Sequence, residues 1–246
     1  MTTPPRAPTE RFSGCADAYA AHRPAYGADV LTFALEGLGA APCVADLGAG
    51  TGISSRLLAA AGARVLAVEP NAAMRARAEP TPNLTWVDGT GERTTLDAGS
   101  VAAAVAFQAF HWFASDAALA EIMRIVRASG TAACVLNERD ESDAFAAAYG
   151  DIVRKYATDD TEARRMASMD VFARLPGTTE RRTFANAQTL DREGLLGRTR
   201  STSYLPHEGE RSAALLAEVG AHFDRAADGD TVRLALVTFV VRVRLP

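Results

Sequence analysis

Short apolar runs alternate along this chain with stretches of helical periodicity, and that alternation carries the architecture. Phe12–Arg23 mixes aromatic and polar residues, with a helix expected from about Cys15 to Ala21 before Pro24 breaks it. Ala28–Leu38 puts Val30, Leu31, Ala34, Leu35 and Leu38 on one face, a helix that Gly39 should stop. Five apolar runs then predict buried strands at Cys43–Leu47, Arg64–Val68, Leu84–Asp88, Val101–Phe107 and Thr131–Leu136. Helices are expected between them at Ser54–Ala61, Ala72–Ala78 and Asp116–Val126. Uninterrupted apolar strands joined by helices imply a parallel sheet covered on both faces.

After Leu136 the rhythm changes. Ser142–Tyr156 and Thr161–Phe172 predict two helices with no strand between them. Arg181–Ala187 and Thr231–Val243 are strand-like, separated by a turn-rich Gly194–Gly209 and a helix at Arg211–Ala226. The expected fold is therefore α/β and Rossmann-like, with seven mostly parallel strands and the last two forming an antiparallel pair. The expected organisation is a disordered tail over residues 1–11 and one domain over 12–246. Within it, residues 12–27 form a helical lid, and an insertion of about 140–175 caps the carboxyl end of the sheet, where open α/β sheets bind ligands.

Bulk properties narrow the partners. The chain has 246 residues, 48% hydrophobic and 23% charged, with a net charge of −4, which argues against a nucleic-acid binder. Lys155 is the only lysine, so no mechanism needing several lysines applies. Cys15, Cys43 and Cys134 are expected as reduced thiols in a cytoplasmic protein. The opening MTTPPRAPTE lacks an apolar signal region, and Val101–Ala114 is too short to span a bilayer, so neither secretion nor a membrane is expected. No His, Cys and acid cluster has metal-ligand spacing, so no metal is expected.

The chemistry begins in the first strand-to-helix turn, VADLGAGTG. Gly48, Gly50 and Gly52 let the backbone turn sharply and let a ligand touch the main chain. The spacing is not GxGxxG, and no Lys-Ser/Thr pair follows, so the loop is not a P-loop. Asp46 before it would repel phosphate but suits a sulfonium and an ammonium. Glu69 ends the second strand and can accept both hydroxyls of a ribose. Asp88 ends the third and can accept from an adenine amino group. A glycine loop alone is often only a tight turn; three strand ends bearing acids in this order are specific.

In order, RFSGCADAYAAHRPAY, VADLGAGTG, AVEPNAAM, DGTGE, FQAFHWF and LNERD resemble the class I S-adenosylmethionine-dependent methyltransferase superfamily. They are similar to its bacterial small-molecule group, in whose wider circle trans-aconitate methyltransferase lies. The resemblance implies S-adenosylmethionine as cofactor. It places Gly48, Ala49 and Gly50 on the methionine part, Asp46 near the ammonium and Glu69 on the ribose. It sets Asn71 and Met74 beside the adenosine, Asp88 and Gly89 on the adenine edge, and Phe107 and Gln108 beside the sulfonium. Tyr19, Arg23 and Tyr26 belong to an N-terminal lid, with Arg23 a partner for the cofactor carboxylate.

The acceptor side is less specific. His111 is either a general base or substrate-binding residue, or it packs the next helix; with Gln108 and Tyr19 it makes up the expected catalytic set. Trp112 is a substrate wall or a packing residue. Asn137 and Arg139 follow the fifth strand, and Arg139 either binds an anionic substrate or pairs with Asp140 or Glu141. Tyr149, Tyr156, Phe172 and Tyr204 are cap-lining candidates or core aromatics. Three functions follow: methylation of a small molecule, intramolecular cyclisation of the cofactor to an azetidine amino acid with release of methylthioadenosine, or non-catalytic cofactor binding. The partner is a small molecule, and the protein a monomer or homodimer.

Overall fold

The computed structural model describes residues 24–246. Seven strands form one sheet: β1 Cys43–Leu47, β2 Arg64–Val68, β3 Leu84–Val87, β4 Val101–Phe107, β5 Val126–Arg139, β6 Thr178–Leu190 and β7 Val232–Arg244. Their order is β3-β2-β1-β4-β5-β7-β6. The first five strands are parallel, and β7 runs antiparallel between β5 and β6. The mostly parallel α/β sheet and the antiparallel final pair are as the sequence predicts.

Alternate residues of each strand feed two cores. On one face Val44, Val65, Val105 and Val135 meet helices α1 (Ala28–Leu35) and α2 (Ile53–Ala60). On the other, Ala45, Leu47, Ala106, Cys134 and Leu136 meet α4 (Asp116–Ile125), the α-helix that follows the short α3 (Ala72–Arg75) in the chain. Two-residue periodicity with both faces apolar is what a sheet buried between helices requires. Helix α1 ends at Leu35, before Gly39, because Gly37 already adopts a left-handed φ of 82°.

The expected insertion divides. Helix α5 (Ala144–Tyr156) joins α7 (Arg192–Arg200), α8 (Gly209–Ala226) and the start of β7 in a third apolar cluster around Tyr149, Leu195, Leu215 and Leu234. Because Leu190 and Val232 pair where β5 approaches Arg139, this cluster stands at the carboxyl end of the sheet. Helix α6 (Thr161–Phe172) instead buries Met169 and Phe172 in the sheet-face core, with Phe172 edge-on to Phe110 at 4.9 Å. It thus leads the chain back to the amino end, where Thr178 pairs with Arg244. The stretch expected as turns contains α7, whose N-terminus is capped by Asp191 accepting from Gly194 N at 2.7 Å. Cys43 and Cys134 are unpaired thiols; Cys15 and the expected helix of residues 15–21 lie outside the described residues.

Candidate cofactor and acceptor site

The glycine loop leaves β1 with φ of 72°, 60° and 84° at Gly48, Gly50 and Gly52, a conformation that disfavours side chains. A Cβ on Gly48 would stand 2.7 Å from Ala109 Cβ, so the loop lies tight against the end of β4. Glu69 fixes it from the next strand: one carboxylate oxygen accepts from Gly50 N at 2.9 Å, the other from Asn71 N at 2.8 Å. Asn71 in turn caps α3, accepting from Ala73 N and Met74 N. Burial raises the Glu69 carboxyl, the two backbone donors opposing it.

Asp46 is fully buried beneath the loop. Its Oδ2 accepts from Ser54 at 2.7 Å and Ser55 at 2.6 Å, both in the first turn of α2, while Oδ1 has no hydrogen-bond partner. Burial lifts its carboxyl to about 6, against the pull of the Ser55 and Ser54 hydroxyls.

A cleft of about 340 Å³ opens between the loop and the ends of β2 to β4. Gly48, Gly50, Glu69, Asn71, Met74, Thr90, Gly91, Gln108, Trp112 and Phe113 are among its walls. Its volume lies within the range of small-molecule sites. On the other side of the loop is a smaller chamber of about 40 Å³, bordered by Tyr26, Ala49, Phe107, Gln108, Asn137 and Arg198. A third space, about 20 Å³ inside the cap, shares Gln108, Asn137 and Arg198 and adds Arg139, Tyr149 and Tyr204. Gln108 borders all three.

Several predicted residues are placed differently. Asp88 is three-quarters exposed, does not border the cleft, and holds Arg75 through two contacts of 3.2 Å. Gly89 does not border it either; Thr90 and Gly91 do. His111 is buried against Trp112, with ring centroids 4.5 Å apart, and borders none of the three spaces. Trp112 walls the large cleft and not the chamber. Arg139 pairs with Glu162 and, at 3.8 Å, with Glu141; Asp140 is not its partner. Tyr149 donates to or accepts from Thr199 at 3.0 Å, and Tyr204 lies against Arg165. Tyr156 and Phe172 pack in the cap and sheet-face cores. Tyr19 and Arg23 lie outside the described residues.

Three groups in the cap escaped the sequence reading. Arg198 came from the stretch expected as turns. Glu138 and Arg165 form a buried pair at 2.7 Å, and burial raises the Glu138 carboxyl despite that arginine. The signal for Arg198 was Asp191 followed by Gly194, Leu195, Leu196 and Thr199, a capped helix whose two glycines hid it.

The geometry defines a Rossmann-like protein with an adenosyl-type cleft. Residues 45–134 match the methyltransferase domain family. An uncharacterized methyltransferase of Mycobacterium tuberculosis is 35% identical over 154 residues, 62% of this chain. That match spans 63% of the relative's own length. The solved structure of a candidate type II methyltransferase from Anaeromyxobacter dehalogenans aligns with a TM-score of 0.72 at 25% identity. It covers 91% of this chain and 99% of that one. A methyltransferase candidate from an Anabaena variabilis antibiotic pathway shares the fold, with a TM-score of 0.61 at 20% identity over 86% of this chain and 96% of that one. Residues 45–134 thus match a methyltransferase domain, and the described fold is that of solved methyltransferase candidates.

The residues present fit S-adenosylmethionine, the cofactor that the sequence resemblance implies. A side chain at Gly48 would collide with Ala109, and Asp46 Oδ1, beneath the loop and bordering none of the three spaces, is a buried acceptor without a hydrogen-bond partner. Each Glu69 oxygen accepts from one backbone N–H, and a carboxylate oxygen has capacity for a second donor. Among the described residues no helix is long and apolar enough to cross a membrane, and no group of three or more His, Cys, Asp or Glu is placed to hold a metal.

Proposed function

We propose that the protein transfers the methyl group of S-adenosylmethionine to a small-molecule acceptor. The observation that carries this is the shared wall: Gly48, Gly50 and Gln108 border both the large cleft and the chamber, so one loop separates a nucleoside-sized space from a smaller polar one. When bound, the cofactor supplies a methyl carbon made electrophilic by its sulfonium. Glu69 binds the ribose diol, Met74 and Phe113 flank the adenine, and the glycine loop holds the methionine part, with the Asp46 carboxyl acting on its ammonium from beneath the loop rather than by direct contact. Phe107 and Tyr26, packed edge-on at 4.7 Å, exclude water from the chamber. Pro24 and Tyr26, the described part of the segment expected as a lid, border that chamber.

Alignment is the main catalytic contribution in this proposal, and it can lower a barrier by roughly 7–11 kcal/mol. A general base at His111 is not favoured, since that side chain borders neither space. The chamber's small volume, about 40 Å³, supports a second reading. There the cofactor's own amine attacks its γ-carbon, the carbon–sulfur bond breaks, a proton is lost from nitrogen, and methylthioadenosine leaves. Incubation with S-adenosylmethionine alone and with an acceptor panel, followed by mass spectrometry, separates the two. S-adenosylhomocysteine appearing only with an acceptor supports methyl transfer; methylthioadenosine without one supports cyclisation; neither product defeats both.

A further inference from the structure

Beyond Gln108 the walls of the chamber change character. The large cleft is bounded by residues 48–113, and neither Asn137 nor Arg198 reaches it. Both border the chamber, and both continue into the cap space behind it. Asn137 is held in one orientation. Its Oδ1 accepts from Thr238 Oγ1 of β7 and from Asn186 Nδ2 of β6 at 3.2 Å. That leaves Nδ2 as the free end, and this donor is buried with no hydrogen-bond partner. Asn137 as a whole is 6% exposed.

A buried, oriented and unsatisfied donor costs free energy unless something accepts from it. Arg198 adds a guanidinium at the same walls, 8% exposed, fixed by donating to Gln188 at 2.5 Å. A donor amide and a guanidinium on one small chamber match a planar anion with two acceptor oxygens. The glycine loop, Ser54, Tyr26 and Phe107 are among the other walls, and the small volume suits a group of few atoms.

We propose that Asn137 and Arg198 form a carboxylate seat beside the glycine loop. This rests on the cofactor reading above, and the carboxylate has two sources. It belongs either to the cofactor's aminobutyrate arm or to a small carboxylic acid acceptor. Arg139, the anion-binding candidate of the sequence, is committed to Glu162 and Glu141 and is not part of the seat.

The test uses the full chain and Asn137→Asp, which keeps the Oδ1 acceptor and replaces the unsatisfied donor by an acceptor. Arg198→Lys is the second variant. Calorimetry at pH 8 measures S-adenosylhomocysteine, which carries the carboxylate, and methylthioadenosine, which lacks the whole arm. A third titration adds acetate, glycine and succinate to protein saturated with S-adenosylhomocysteine. The seat predicts that Asn137→Asp weakens a carboxylate-bearing ligand at least tenfold while methylthioadenosine stays within twofold. Loss confined to S-adenosylhomocysteine assigns the seat to the cofactor; loss confined to the added acid assigns it to the acceptor. Arg198→Lys should show the same selectivity to a smaller degree, and it stands alone should the aspartate variant lose its circular dichroism. Equal affinities of a folded variant and wild type for every carboxylate ligand overturn the seat. Wild-type protein that binds neither nucleoside overturns the cofactor reading itself, and the seat with it.

Discussion

The Gln108 side chain is paired with the main chain of Asn137: its Oε1 accepts from Asn137 N at 2.7 Å and its Nε2 donates to Asn137 O at 3.1 Å. Gln108 N makes the last ladder bond of β4, to Val135 O, and its φ of 53° then turns the chain out of the sheet. Strand β5 runs on past that point to Arg139. The side-chain amide therefore stands in for the next peptide of β4. Gln108→Leu should leave both Asn137 backbone groups unsatisfied and cost about 1–3 kcal/mol. Thermal unfolding checks this, and an unchanged Tm would remove the pairing's structural role.

Glu69 has two duties, since it holds the loop through Gly50 N as well as facing the cleft. Glu69→Ala should lower affinity for S-adenosylhomocysteine at least tenfold, about 1.4 kcal/mol or more. It should also destabilise the ligand-free protein by about 1–3 kcal/mol, because two backbone donors lose their acceptor. Calorimetry and urea unfolding measure the two effects separately. A loss of binding with unaltered stability would show that the backbone contacts carry little.

Asp46 gives a pH signature. Burial raises its carboxyl from 3.8 to about 6, so the folded protein keeps a proton that the unfolded chain has already lost in that range. The resulting stabilisation is complete below about pH 4 and disappears as pH rises through 6, a span of about 3 kcal/mol. Wild type should therefore lose stability relative to Asp46→Asn between pH 4.5 and 7.5 in urea titrations. A difference constant with pH would count against the raised carboxyl.

The same carboxyl, once ionised, attracts an ammonium. Affinity for S-adenosylhomocysteine should fall as pH drops below 6 and fall more than that for methylthioadenosine, which lacks the ammonium and shares only the ribose contact of Glu69, itself raised by burial. Parallel pH profiles for both would separate Asp46 from the ammonium.

Asp88 is three-quarters exposed and paired with Arg75, whose guanidinium also donates to Glu69 O. Exposed pairs contribute roughly 0–1 kcal/mol. Asp88→Ala should leave Tm within about 2 °C on that scale. A fall in methylthioadenosine affinity would support its assignment to the adenine edge, and unchanged affinity would pass that role to Thr90 and Gly91, which border the cleft.

The first half of the fold was legible because its strands are buried on both faces. Cys43–Leu47, Arg64–Val68 and Val101–Phe107 have the predicted bounds, each predominantly apolar. Edge strand β6 was seen only as Arg181–Ala187, since most of its thirteen residues face solvent and carry no apolar alternation. Helix α7 was hidden by Gly194 and Gly197, whose low helix propensity the cap cluster overrides by burying Leu195 and Leu196. In the site, Gly48, Gly50, Glu69 and Met74 were placed by motif and strand end. Gln108 and Asn137 were named for chemistry, but their mutual pairing depends on strand register, and Arg198 depends on a tertiary contact. Neither leaves a local pattern in the sequence.

The three spaces around Gln108 also divide the chain by inheritance. Every wall of the nucleoside cleft is encoded between Gly48 and Phe113, and every wall of the cap space other than Gln108 is encoded from Asn137 onward. Recombination at the loop before β5 would exchange one set without rewriting the other. At Gln108 itself the seam is met by an amide side chain facing the main-chain peptide at 137, and a peptide is present whatever residue stands there. On the proposed function, the walls from Asn137 onward can change without altering the main-chain partner that Gln108 needs.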